Sequence, residues 1–196
     1  MANLCNSLIA TDIQADCTNL GIKGLEPDGK IINRADIDFA NCVMDNGNPA
    51  NPNIIKSLVL KTGKSAYDVA QLGNTPFTGL VSNLNVGTYI NTWTTDIPIA
   101  ILANDPVVAH KVIDALANGE FVLILKNKNR GTAGNAKYQV FGYAQGCRAS
   151  AGTRDAYSED VEGGWLVTLQ EANHPKSAMF LYDTDEATTD AAYEAL

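Results

Sequence analysis

Three short motifs in this chain contain residue types that could do chemistry. Gly63-Lys64-Ser65 matches the end of a phosphate-binding loop, in which backbone amides surround a phosphate and a lysine neutralises it. That loop needs a glycine five residues before Gly63, where this chain has Leu58, and a helix that begins at the phosphate. The segment lies instead between two strand patterns, so the sequence predicts a turn and no nucleotide site.

A second motif surrounds Ser150. Residues 148–152 contain one of the two glycines of a nucleophile elbow, the sharp turn that presents a catalytic serine. No helix pattern follows, and neither histidine has a supporting context, because His110 falls on a predicted helix and His174 precedes Pro175. Both histidines are interpreted as surface residues. We therefore expect no catalytic residues and no enzyme, although carboxylates distant in sequence could still meet in space.

The third motif is acidic and lies near the C-terminal end. Asp183, Asp185 and Glu194 match positions 1, 3 and 12 of a calcium-binding loop. The ligand at position 5 and the glycine at position 6 are missing, so the chain cannot turn sharply around an ion. Helix capping by Thr184 or Asp185 explains the same residues. The sequence predicts no metal site and no cofactor.

Bulk composition describes a chain able to bury one sizeable core. Of its 196 residues 45% are hydrophobic and 18% are charged, and the formal net charge is −8. That charge argues against a surface that binds nucleic acid duplexes. No apolar window is long enough to span a bilayer, and residues 1–6 lack the features of a signal peptide, so we expect synthesis in a cytoplasm and no membrane partner. The four cysteines have no metal-ligand spacing, which favours free thiols.

Charge is distributed unevenly along the chain. Ten acidic residues and one lysine occur between Asp155 and Glu194, whereas residues 126–137 contain four basic residues and no acid. One interpretation is a pair of solvated surfaces. The other is a pair of complementary faces that meet between copies of the chain. The candidate inter-subunit or lumen charges are Lys126, Lys128, Arg130, Lys137, Asp155, Glu159, Asp160 and Glu162.

The hydrophobic pattern predicts a mainly β fold, a mostly antiparallel β-barrel or β-sandwich with one packed α-helix and an N-terminal arm. Residues 1–53 are interpreted as an extended arm with short strands at Ile31-Ile32 and residues 37–39. Residues 54–183 form the β-barrel or sandwich domain, and residues 184–196 a C-terminal turn or helix. A first hairpin pairs residues 54–60 with 66–72 around Gly63.

A helix is predicted over residues 105–118. Asp105 can cap it, Pro106 suits its first position, and Gly119 can end it. One apolar stripe should comprise Val108, Val112, Ala115 and Leu116.

Further strands are predicted on both sides of this helix. Residues 88–103 form a long strand in which Pro98 indicates an edge or a bulge. Residues 121–125 are almost continuously apolar, which indicates burial on both faces. Later strands should cover residues 137–143, 165–169 and 179–182, whereas residues 73–87 and 150–164 are interpreted as loops.

Several local signatures together resemble a group of virion structural proteins of tailed phages and prophages of Bacteroides-type gut bacteria, most of all tail tube proteins. The signatures, spread over most of the chain, are residues 1–5, 31–37, 119–124, 138–142, 152–155 and 163–165. A family of this kind has no catalytic residues to transfer.

The resemblance implies that β-barrels join into a ring, hexameric in the tail tube type, and that rings stack into a tube in the virion tail. The partners would be copies of the chain and other virion proteins, with DNA only as passing cargo. Open strand edges such as residues 88–103 would become seams between subunits. Acidic residues from Asp155 to Glu162 would line the lumen or meet the basic loop of a neighbour.

Other functions fit the same pattern. Within virions, a head decoration, connector-ring or tail-terminator protein would share the β-rich composition. Outside them, a monomeric β-sandwich binding module could use the aromatic loops of residues 76–93 to hold a peptide or a sugar. The oligomeric state distinguishes these hypotheses.

Overall fold

A computed structural model describes Ile13 and residues 21–45, 53–131 and 133–196 of the chain. It confirms a mainly β fold in two mostly antiparallel sheets with one packed helix and a short C-terminal helix. The strands are β1 (Leu25–Asn33), β2 (Val43–Met44), β3 (Ile54–Ser57), β4 (Tyr67–Ala70), β5 (Val81–Asn85), β6 (Thr92–Ile101), β7 (Phe121–Asn127), β8 (Tyr138–Phe141), β9 (Arg148–Arg154), β10 (Trp165–His174) and β11 (Met179–Leu181).

Within the described residues, the larger sheet has seven strands in the order β2-β3-β11-β8-β7-β1-β4. The smaller sheet has four, in the order β5-β6-β10-β9. Inner side chains of β6, β7 and β10 form one buried core between the sheets: Ile97, Ile99, Leu123, Leu125, Val167 and Leu169. Full burial of each such side chain contributes roughly 1.5–3 kcal/mol.

Strand β7 confirms the predicted burial on both faces. Leu123 and Leu125 belong to the core between the sheets, whereas Val122 and Ile124 belong to a second core on the opposite face of the larger sheet. All four are completely buried. A strand covered on both sides needs no polar alternation, which is why its sequence is a continuous apolar run.

The two sheets approach each other at two points. Phe121 at the start of β7 exchanges backbone hydrogen bonds of 2.9 and 2.7 Å with Cys147, next to β9. On the other side, the Gln71 side chain after β4 donates to the Ala100 carbonyl of β6 at 3.0 Å and accepts from its N–H at 2.9 Å. The pair of sheets is therefore partly closed into a barrel, in the order β7-β1-β4-β6-β10-β9.

Helix α1 runs over residues 106–118 as three consecutive segments, Pro106–Val108, the π-helical Ala109–Ile113, and Asp114–Asn118. The Asp105 carboxylate accepts the N–H groups of Val107 and Val108 at 2.8 and 3.0 Å, which confirms the predicted cap. The last segment packs against β9 and β10.

The predicted apolar stripe of α1 is only partly correct. Leu116 is buried, but Val112 and Ala115 are exposed, and Ile113 is buried in their place. The π-helical turn inserts an extra residue per turn and so shifts which side chains face the sheets.

A second helix, α2, covers Glu186–Glu194, in agreement with the predicted C-terminal turn or helix. Asp185 caps it by accepting the N–H of Thr188 at 2.7 Å. Tyr193 on α2 is buried in the second core. No helix within the described ranges is long and apolar enough to cross a membrane.

Three predicted assignments need correction. Residues 25–33 of the predicted arm form β1, which lies between β7 and β4 and belongs to the larger sheet. The strand predicted over residues 37–39 is absent from the described structure. A 3-10 turn covers Arg34–Asp36, and Ile37 forms a single β-bridge with Leu60. The hairpin around Gly63 is wrong, because β3 pairs with β2 and β11 while β4 pairs with β1.

Strand β5 and most of strand β9 lie in segments predicted as loops, residues 73–87 and 150–164. The predicted long strand is present as β6, but β5 covers its first half, pairing from Thr92 to Asp96. Pro98 falls beyond that pairing and on the same side as Ala100, so its missing N–H faces an open stretch of edge.

Candidate functional site

The basic segment of residues 126–137 lies against acidic residues of the same chain. Arg130 is 3.2 Å from Glu186 of α2, and Lys137 is 3.0 Å from the same carboxylate. Lys126 pairs with Asp28 and lies 4.0 Å from Glu194, while Lys128 lies beside Gly24. Three of the four predicted basic side chains are therefore paired within the chain.

Asp190 is the centre of this contact. Its carboxylate accepts from Lys137 Nζ at 2.6 and 2.7 Å and from the Tyr138 hydroxyl at 2.8 Å, and Tyr138 stacks on Tyr193 at 4.4 Å. Burial alone would raise the pKa of Asp190, but the hydrogen bonds from Lys137 and Tyr138 hold it below its ordinary value. We call the set Lys137, Tyr138, Glu186, Asp190 and Tyr193 the α2 clasp.

The predicted acidic residues lie elsewhere. Asp155, Glu159, Asp160 and Glu162 are exposed on the loop between β9 and β10. Three of them, Glu159, Asp160 and Glu162, line a groove of about 1040 Å³ that they share with β4, the end of β6 and α1. The structure thus separates the acidic loop from the basic segment, which takes its acidic partners from α2 and β1.

The hairpin formed by β5 and β6 is an exposed surface with apolar residues at its tip. Every residue of β5 is exposed, although its residues alternate between the two faces of the sheet. At the tip, Val86 is 83%, Tyr89 92% and Ile90 69% exposed. The sequence predicts a loop over residues 73–87, so sequence reasoning misses this hairpin.

The aromatic residues of this region do not form one cleft. Phe77 is buried in the core between the sheets with a φ of 56°, whereas Tyr89 lies at the hairpin tip and Trp93 on β6 is half-buried. The arrangement offers little support for an aromatic binding site over residues 76–93.

The short motifs of the sequence have structural explanations. Gly63 has a φ of 75° in a turn, and Lys64 Nζ is 3.0 Å from an Asp36 carboxylate oxygen. Ser150 is on β9, where its hydroxyl donates to the Thr168 carbonyl at 3.3 Å. His110 is exposed on α1, 3.8 Å from Asp114.

The second histidine corrects a prediction, because His174 is buried rather than on the surface. It is 6% exposed, and its Nε2 lies 3.8 Å from Oε1 of Glu171, which is 5% exposed. A bulge in β10 with Asn173 at a φ of 58° shifts the pairing register between them, so both side chains turn inwards.

Burial raises the pKa of Glu171, while the Gly142 N–H and His174 oppose that rise. Burial, with the Glu171 charge as a lesser cause, also raises the pKa of the Cys147 thiol. A nucleophilic cysteine needs an accessible thiol with a lowered pKa, and Cys147 is completely buried. These three residues therefore form a buried polar cluster rather than a nucleophile with its base.

The described cysteines, Cys42 and Cys147, are free, and Cys5 and Cys17 lie outside the described residues. Within the part of the chain that the structure covers, no group of three or more histidine, cysteine or acidic side chains could hold a metal. No family model matches the chain, and searches of curated proteins and of solved structures found no match.

Proposed function

We propose that this chain is a structural subunit that assembles with copies of itself into rings, and that the rings stack as the tail tube of a phage particle. The observation that carries the proposal is the β5–β6 hairpin, an edge strand exposed on both faces with an apolar tip. An exposed apolar strand edge promotes uncontrolled association unless a defined partner covers it. A second copy of the chain would provide that cover.

Burial of the hairpin tip contributes part of the free energy that assembly requires. Burial of an aliphatic side chain such as Val86 or Ile90 contributes roughly 1.5–3 kcal/mol, before the entropy cost of association. Tyr89 adds a large apolar ring with a hydroxyl that can find a polar partner. A head-to-tail contact of this kind is repeated by every subunit, and it gives a ring when the rotation closes.

The charges of the chain are compatible with a conduit for DNA. Residues of α2 and β1 neutralise most of the basic segment, whereas the carboxylates of the acidic loop are exposed and form no ion pair among the described residues. Asp155, Glu159, Asp160 and Glu162 on the lumen would repel phosphates, so the genome would pass without the counterion release that drives binding.

Negative-stain electron microscopy and sedimentation velocity of the full chain, across a salt series, test this proposal. We expect rings or hollow tubes. Replacing Val86, Tyr89 and Ile90 together by serine should leave monomers, whereas the control Val107→Ser, at an exposed site on α1, should assemble normally. A persistent monomer of the unaltered chain, or tubes formed by the triple variant, would overturn the proposal.

Image averages would also distinguish the related virion roles. Six-fold rings that stack support a tail tube, whereas rings that stay single support a connector or terminator. A monomer that binds preformed particles would support a decoration protein instead.

A further inference from the structure

The partly closed barrel has a gap between β4 and β6. Over the described residues, β4 is the last strand of the larger sheet, and β6 loses its partner β5 after Asp96. The Gln71 side chain spans the gap at Ala100. Strand β4 therefore presents an unpaired edge on the side of β6.

The backbone of β4 has hydrogen-bonding groups directed into this gap. The Gln71 N–H donates to the Pro27 carbonyl at 2.7 Å, on the side of β1. Backbone groups alternate in an antiparallel pair, so those of Val69 also face β1, and those of Asp68 and Ala70 face away from it. Ala70 confirms this direction, because its carbonyl accepts from the Gln71 side chain at 3.2 Å.

The floor of the groove is apolar and belongs to the barrel interior. Ile31, Val69 and Ile101 line it as partly buried side chains packed on the core between the sheets, together with the buried Leu116 and Phe121. An added strand with apolar residues at every second position would cover these side chains.

The rim of the groove is acidic. Asp68, Glu159, Asp160 and Glu162 line it, and Lys111 is the one basic residue among the described lining. Asp68 is partly compensated by Lys30, at 3.7 Å, but the three loop carboxylates are exposed. A bound strand would therefore be favoured when its outward side chains are basic.

We propose that this groove binds an extended segment of a different protein, in which apolar residues alternate with lysine or arginine, as an added strand on β4. Charge disfavours a copy of this chain as the source. Residues 1–20 contain Asp12 and Asp16 and no lysine or arginine, and most of the basic segment is held by the α2 clasp and Asp28. The hairpin of residues 81–91 is uncharged. This proposal does not require ring formation, and it assigns Glu159, Asp160 and Glu162 to the bound segment instead of to the lumen.

The test uses a fluorescent, terminally blocked peptide of alternating valine and lysine, with the valine–glutamate peptide as its control. Fluorescence anisotropy with the full chain should show saturable binding of the lysine peptide that weakens with salt. The variant Glu159→Gln/Asp160→Gln/Glu162→Gln changes exposed residues only, and it should lower the affinity by roughly tenfold. Equal binding of the two peptides, or no effect of the variant, would overturn the proposal.

A second measurement tests the added strand itself. Ala70→Pro removes one N–H directed into the gap without changing a charge, and proline is tolerated on strand edges, so peptide binding should be lost while circular dichroism stays unchanged. Hydrogen exchange should show protection of the Asp68 and Ala70 amides when the peptide binds. Protection of both amides in the assembled protein without peptide would identify a second copy as the occupant and refute a foreign partner.

Discussion

Asp190→Asn should loosen α2 from the larger sheet while preserving the shape of the side chain. The carboxylate accepts hydrogen bonds from Lys137 and from the Tyr138 hydroxyl. Asparagine can keep the oxygen that accepts from both donors, but it places an NH2 group where the second oxygen accepts from Lys137 at 2.7 Å, so Lys137 loses one partner oxygen and the negative charge that attracts it. The side chain of Lys137 is 12% exposed, so water replaces that partner only in part.

The size of the effect follows from the geometry. A hydrogen bond to a charged group contributes roughly 1.5–3 kcal/mol, but the Asp190 side chain is 39% exposed and Glu186 remains 3.0 Å from Lys137. Solvent screening and this remaining partner reduce the expected loss in the free energy of unfolding to about 1–2 kcal/mol. The Tm should fall by roughly 2–8 °C in a domain of this size.

Urea unfolding followed by fluorescence measures the loss in the free energy of unfolding. The control is Asp114→Asn on α1, whose free energy of unfolding should stay within about 0.5 kcal/mol of that of the unaltered chain. The folded pKa of Asp190 lies below its ordinary value of 3.8, so its stabilisation is complete above that value. It is lost as the pH falls through the folded pKa. The difference between the two proteins should therefore disappear in strong acid. A difference that is absent at pH 7, or that persists in acid, would refute the role of the clasp.

Three further predictions test the interior and the basic segment. Because burial raises the folded pKa of Glu171, the unaltered chain should lose stability as the pH rises from 4.5 through that pKa. Glu171→Gln should remove this loss. If urea unfolding gives the same dependence of stability on pH for both proteins, the prediction is contradicted. Gly142→Ala should lower the free energy of unfolding by about 3 kcal/mol or more, because φ at Gly142 is 80° and a Cβ would lie 2.5 Å from the Phe121 carbonyl oxygen. Thermal unfolding measures this loss. Neutralising Lys126, Lys128 and Arg130 should lower the Tm. Compared at an equal fraction of folded protein, assembly in electron micrographs should be unchanged. Weaker stacking of rings would instead support contacts between the basic segment and neighbouring copies.

Local signals predicted part of the fold correctly. The run from Phe121 to Leu125 is apolar because both faces are covered, and Asp105 and Asp185 are caps because their side chains reach free helix N–H groups. These features depend on neighbours in sequence or on uniform burial. Strands β5 and β9 gave no such signal, because most of their residues are exposed on both faces and show no apolar alternation.

The remaining features depend on pairing between distant residues. Strand β3 pairs with β11, more than a hundred residues later, so the usual preference for sequential pairing predicted a wrong hairpin. His174 is buried because of a bulge at Asn173, and a bulge has no reliable sequence signature. The pairing of Lys137 with Asp190 needs the register of β8 and the position of α2, neither of which local patterns determine.

The basic segment beneath α2 and the acidic loop therefore have different roles, and substitutions can test this difference. On the face covered by α2, opposite charges meet within the chain, and a second apolar core lies beneath. At the acidic groove and the β5–β6 hairpin, charge and apolar surface have no such cover among the described residues. Substitutions in the α2 clasp should therefore change the free energy of unfolding with little effect on association at equal folded fraction. Substitutions at Tyr89 or Glu159 should change association with little effect on unfolding, since exposed side chains contribute little to stability.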